Sequence, residues 1–112
     1  MDNIKEHDWG KEVIWTNTAD YCGKILIFEK ENSSTSLHFH KDKEKSWFVN
    51  AGKFLVTWVD TNNGQAYSKE LPEGSVFQVP RLMPVKLTSL QDNSAIAECG
   101  TYEDENDYLK LG

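Results

Sequence analysis

Two cysteines in 112 residues, Cys22 and Cys99, form neither a Cys-x-x-Cys pair nor a set of four or more. A disulfide-stapled scaffold is therefore excluded, and both are read as reduced core thiols. Basic excess is also missing: 12 Lys and Arg against 18 Asp and Glu give a net charge of −6. That argues against nucleic acid or an anionic membrane surface as partner, because both require basic patches. No apolar run approaches the about 18 residues of a membrane-spanning helix. Residues 1–9 are polar and acidic, without the apolar core of a signal peptide, so a cytoplasmic location is expected. Neither a Gly-x-Ser-x-Gly elbow nor a glycine-rich phosphate loop occurs, and Cys99 has no histidine in its sequence context, which leaves nucleophilic and nucleotide chemistry without support. Repeats, low-complexity tracts and linkers are absent, and the length suits one domain spanning 1–112.

What is present is apolar and aromatic residues in short runs: 38% hydrophobic, 12% aromatic, with four tryptophans. The runs at 9–15, 21–29, 36–40, 46–50, 53–60, 65–70, 75–79, 82–87 and 95–99 read as strands, separated by polar turns such as Thr61-Asn62-Asn63-Gly64. Asn-Gly supplies positive φ cheaply. No segment carries the 3.6-residue period of a helix, so the pattern predicts an all-β sandwich or barrel. Strands 21–29 and 53–59 are apolar on both faces. A barrel interior covers only one of those faces, which predicts a homodimer about a two-fold axis. The turn Lys41-Asp42-Lys43 is expected to be solvated. The acidic end, 103–107, either packs across a barrel mouth or is solvated.

The chemistry concentrates in Ser36-Leu37-His38-Phe39-His40, a charged turn, and Trp47-Phe48-Val49-Asn50-Ala51-Gly52. In a strand, residues i and i+2 share a face, so His38 and His40 project side by side while Leu37 and Phe39 point away. Paired imidazoles begin a transition-metal site. This stretch resembles the first motif of the cupin superfamily, most closely the cupin domain of type II phosphomannose isomerases and small single-domain relatives. Trp9-Gly10-Lys11-Glu12, Lys24-Ile25-Leu26 and Glu98-Cys99-Gly100-Thr101-Tyr102 with the acidic run behind it resemble other family segments. The resemblance implies a jelly-roll β-barrel (a double-stranded β-helix). It also implies a sugar or sugar phosphate as ligand and a divalent metal ion (zinc, nickel, manganese or iron) that polarises a carbonyl in isomerases.

Two departures from the motifs leave the site open to three readings. Counting back from Gly52, the position of the metal-binding glutamate falls on Lys45, with Glu44 one residue early. In the second motif, Gly74 and Pro80 keep their spacing, but Leu82 replaces a glycine, Val85 the third histidine and Ser89 an asparagine. In one reading His38, His40 and Glu44 hold a divalent metal, a β-bulge turning Glu44 inward, with Gln78 or Glu98 as a surrogate ligand; the protein is then a metal-dependent sugar isomerase or epimerase. In another, Lys45 faces the histidines, the metal site is degenerate, and a carbohydrate, sugar phosphate or similar metabolite binds among His38, His40, Lys45, Trp47 and Gln78. In the third, the histidines are interior residues of a non-catalytic structural or interaction module. Phe54, Trp58 and Tyr67 are further aromatic candidates for a sugar pocket.

Overall fold

A computed structural model describes residues 3–111, and the segments with two-residue alternation become strands of two antiparallel sheets. The six-stranded sheet holds β1 (Ile4–His7), β2 (Gly10–Asn17), β3 (Cys22–Phe28), β5 (Lys45–Ala51), β8 (Val76–Val79) and β10 (Ser94–Gly100). Their order is β1-β2-β3-β10-β5-β8. The five-stranded sheet holds β4 (His38–Phe39), β6 (Lys53–Asp60), β7 (Gln65–Pro72), β9 (Val85–Ser89) and β11 (Leu109–Lys110), in the order β11-β4-β9-β6-β7. No helix among the described residues is long and apolar enough to cross a membrane.

The sheets face each other across a core whose largest members are Trp47, Phe28, Phe54, Leu71, Leu87 and Ile96, all essentially inaccessible. Burial alternates as the side-chain period demands: in β5, residues 45, 47 and 49 are inside and 48 and 50 outside. Gly52 holds this register. Its φ is +76°, and a β-carbon there would stand 2.1 Å from the Ser94 hydroxyl oxygen, so only glycine makes the β5–β6 turn. A one-residue slip would flip every side chain of the strand; in the observed register Lys45 is buried and Glu44 exposed.

The structure departs from the sequence reading at the edges. β1 arises within residues 1–9, a polar and acidic stretch for which the sequence predicts no strand before position 9; it pairs with β2 from Ile4↔Val13 to His7↔Gly10. The predicted strand at 82–87 starts instead at Val85, because Leu82 has a φ of +68°. Leucine thus adopts a backbone better suited to the glycine it replaces. Lys43, expected in solvent, is only 2% exposed.

Candidate functional site

The two histidines come from β4 and the residue following it, and both side chains are buried in the space between the sheets. Leu37 and Phe39 are only partly buried. Backbone carbonyls settle the tautomers. The Nδ1–H of His38 donates to Ser36 O at 2.8 Å, and that of His40 to Asp107 O at 2.8 Å. A neutral imidazole with its proton on Nδ1 carries a lone pair on Nε2. Both Nε2 atoms face the Lys45 Nζ, which donates to them at 3.1 and 3.2 Å. Burial, reinforced by the Lys45 charge, lowers His38 to a pKa of about 3 and His40 to about 4. Burial also lowers Lys45 to about 8, against the pull of Glu98. At neutral pH the cluster is one ammonium between two neutral imidazoles.

A second cluster adjoins it. Three carboxylates, Glu12, Glu98 and Glu103, surround the Lys24 Nζ at 2.8, 3.5 and 2.8 Å. Lys43 adds contacts of 3.8 Å to Glu98 and 3.4 Å to Glu103, and donates to Thr101 O at 3.1 Å. Glu98 also accepts from the Trp47 indole N–H at 2.8 Å. Burial opposes its charge, but Lys24, Lys45 and Lys43 outweigh burial and hold its pKa at about 2. Lys24 is raised well above its usual range, its burial outweighed by Glu98, Glu103 and Glu12. With Lys45 included, three lysines balance three glutamates, which is how buried charge is tolerated.

The charged groups of both clusters, Lys43 excepted, line a cavity of about 400 Å³, within the about 300–1,000 Å³ of small-molecule pockets. Lys45, His38, His40, Trp47 and Glu98 contribute to its lining, as do Trp9, Lys5, Glu105 and Lys110. Tyr108 contributes a wall: its ring stacks on His38 with centroids 4.4 Å apart. The acidic C-terminal segment therefore packs across the barrel, the first of the two options its composition allowed. Asp107 anchors it by accepting from the backbone N–H groups of Lys41, Asp42 and Lys43 at 2.8, 3.0 and 3.2 Å.

Several expected site residues lie elsewhere. Glu44 is outside the cavity, its side chain 55% exposed and paired with Arg81 at 2.8 Å. No bulge turns it inward: β5 pairs with β8 in unbroken register from Lys45↔Val79 to Phe48↔Val76. Gln78 is exposed, because Val79 points inward and period two sends its neighbour out; it borders a groove on the outer face with Trp15 and Cys99. Trp58 and Tyr67 stack on each other, 5.8 Å between centroids, and neither lines the cavity. Phe54 is core. Val85, in the place of a third histidine, is wholly buried and is the register partner of His38. Conversely, Lys24, Glu12, Glu103 and Tyr108 escaped the sequence reading as site residues. The signal for Lys24 was available: a lysine sharing its strand face with Leu26 and Phe28 must be paired. His7 also lines the cavity, stacked on Trp9 at 4.7 Å.

Comparison with known proteins agrees with this architecture. The family model described as Cupin matches residues 17–111. No curated protein matches. Among solved structures, the capsular polysaccharide assembling protein CapF from Staphylococcus aureus superimposes with a TM-score of 0.81 at 19% identity, covering 96% of this chain and 32% of that one. CapF is also known with the inhibitor 3-isopropenyl-tropolone, TM-score 0.83 at 18% identity, 96% and 33% covered. Oxalate decarboxylase from Bacillus subtilis gives 0.85 at 17% identity, 96% and 29% covered. The chain thus spans about a third of the length of these proteins. Mn(II) centres belong to the Bacillus enzyme. A divalent metal does not fit the donor set of this chain. Among the described residues, no three His, Cys, Asp or Glu side chains are placed to share an ion, and the point where the two Nε2 atoms converge holds the Lys45 ammonium.

Proposed function

The chain belongs to the cupin family, and on that premise we propose that it binds a small polar metabolite, a sugar, sugar phosphate or similar compound, in the cavity between its sheets. The observation that carries this reading is the combination in one about 400 Å³ space of a polar floor, His38, His40 and Lys45, with the aromatic surfaces of Trp9, Trp47 and Tyr108. Fixed polar groups orient a ligand, and apolar walls take its remaining surface. The metal-dependent isomerase or epimerase built on His38, His40 and Glu44 loses its third ligand, since Glu44 is turned to Arg81.

A calorimetric and thermal-shift panel of hexoses, hexose phosphates and small carboxylates at millimolar concentration tests the reading. At least one class should bind with a dissociation constant below a millimolar and raise Tm. Tyr108→Ala, which removes a wall without touching Lys45, should weaken that binding at least tenfold. Silence across the whole panel, or an unchanged affinity in Tyr108→Ala, would reject it.

A second role, as a self-associating module of one domain, is favoured by the outer face of the larger sheet. One register row crosses all six strands there: Ile4↔Val13, Val13↔Ile25, Ile25↔Ala97, Ala97↔Phe48 and Phe48↔Val76. Every member is apolar, and Phe48 and Val76 are 46% and 60% exposed. A second copy packed on this row makes the homodimer that the apolar strands predict. The two roles are compatible, because the cavity opens between the sheets and the row lies outside them.

A further inference from the structure

We infer that Lys45 is a tethered replacement for a metal ion: its ammonium fills the point on which the two imidazoles converge, and an oxygen anion of the ligand, carboxylate or phosphate, binds directly to it. For its ligand, this inference rests on the reading above.

The imidazoles are set as metal ligands are. Each gives its Nδ1–H to a backbone carbonyl, which fixes the ring and leaves the Nε2 lone pair aimed into the site. Metal-binding histidines are oriented in this way. Yet the group that donates to both lone pairs is the Lys45 ammonium, at 3.1 and 3.2 Å. Side-chain reach explains how one residue can do this. A glutamate at position 45 would end one bond short of the lysine Nζ, and an ion bound to it would stand a further about 2.0–2.2 Å out. The lysine nitrogen therefore sits close to where an ion held by such a glutamate would sit.

Charge accounting points the same way. A divalent ion with one glutamate carries a net charge of +1, and so does one lysine ammonium. The exchange leaves the neighbouring Lys24, Lys43, Glu12, Glu98 and Glu103 in an unchanged field. Among the described residues, no third His, Cys, Asp or Glu is placed to join the two imidazoles around one ion. Val85 is the register partner of His38, Glu44 is held outside by Arg81, and Glu98 accepts from Trp47 through one carboxylate oxygen while the other, without a hydrogen bond, faces the Lys24 ammonium at 3.5 Å.

The ammonium also keeps an open position. Two of its three N–H groups go to the imidazoles, and no acceptor among the described residues takes the third. The Trp47 ring flanks Nζ at 5.1 Å. A ligand oxygen reaching the third N–H would make a charge-assisted hydrogen bond, the kind that favours carboxylate and phosphate over neutral groups.

The test is metal binding with no organic ligand present. Purified wild-type protein, Lys45→Glu and Lys45→Met are titrated with cobalt(II), followed by calorimetry and visible absorption, with near-ultraviolet circular dichroism to confirm folding. Wild type should bind no stoichiometric ion. Lys45→Glu should bind one ion per chain at least 100-fold more tightly, and His40→Ala in that background should abolish the gain. Lys45→Met frees both lone pairs without adding a ligand and should gain about tenfold. In parallel, wild-type affinity for inorganic phosphate should fall at least tenfold in Lys45→Met. One ion per chain in wild type, lost on His40→Ala, would overturn the inference. Folded variants that bind cobalt no better than wild type would overturn it too, and phosphate affinity unchanged in Lys45→Met would remove its ligand half. Because cobalt binding needs no metabolite, a chain that behaves as expected here while ignoring the compound panel would keep the ammonium in the metal's place and lose only the metabolite reading.

Discussion

At the scale of single residues, the interior stores charge in two different ways, and pH separates them. In the folded chain His38 stays neutral down to about pH 3 and His40 down to about pH 4. In the unfolded chain both take protons near pH 6.5. Below that pH the unfolded state binds more protons, so stability is complete above about pH 6.5 and falls as pH drops toward the folded values. Glu98, lowered to about 2, has the same sign: its contribution is present above its ordinary pKa and is lost as acid approaches about 2. Lys45 acts on the alkaline side. Its folded value of about 8 lies below its ordinary 10.5, so stability gains as pH rises between them. The expected outcome is a urea midpoint that declines steadily from pH 6.5 to pH 4. Ring-nitrogen NMR signals of His38 and His40 should stay those of neutral Nδ1–H imidazoles from pH 8 to pH 5. Protonation of either ring near pH 6.5 would contradict the buried ammonium–imidazole arrangement.

At the scale of elements, the segment after β10 is what completes the site. Through Asp107 it fastens the 41–43 turn, through the Asp107 carbonyl it orients His40, and through Tyr108 it covers His38. A short 3-10 turn at Glu105–Asp107, capped by Asp104, brings these groups into place, and β11 then pairs with β4. Asp107→Ala strands three backbone N–H groups that now donate to a carboxylate. Hydrogen bonds to charged groups contribute about 1.5–3 kcal/mol each, and water replaces part of the loss at a turn near the surface, so a destabilisation of about 2–3 kcal/mol is expected. Urea denaturation measures that figure. Amide exchange at residues 41–43 should quicken by more than the global loss accounts for, whereas a uniform change would mean that the segment does not act on this turn.

At the scale of the molecule, the proposed dimer rests on the outer row from Ile4 to Val76. Strands about 4.8 Å apart make six members span about 24 Å, enough breadth for an interface of about 800 Å² per partner when its flanks are included. Light scattering should give twice the chain mass for wild type. Phe48→Glu places a charge in the row, one strand from its β8 edge, on an already exposed position, so it should halve the mass and leave the fold intact. A wild-type monomer at high concentration would count against the dimer.

Most of the sheet-forming residues, though not β1 or β11, were legible in the chain itself, because period two is a local property and Gly52 anchors the count in β5. That is why His38, His40 and Lys45 could be read as sharing an interior, with Glu44 as the rival candidate. Chain spacing alone could not choose between Glu44 and Lys45, since three residues from His40 to Glu44 satisfies the motif. The unbroken β5–β8 pairing and the Arg81 contact made that choice. The rest of the site depends on which distant faces meet. Lys24 reaches Glu103 across 79 positions, His40 reaches Asp107 across 67, and Trp47 reaches Glu98 across 51. Alternation tells that each of these strand residues points inward, but not that β10 lies between β3 and β5 or that the acidic end folds over the cavity. Those partners, and with them the lowered pKa values of His38, His40 and Lys45, exist only once non-local strand pairing has removed the groups from water.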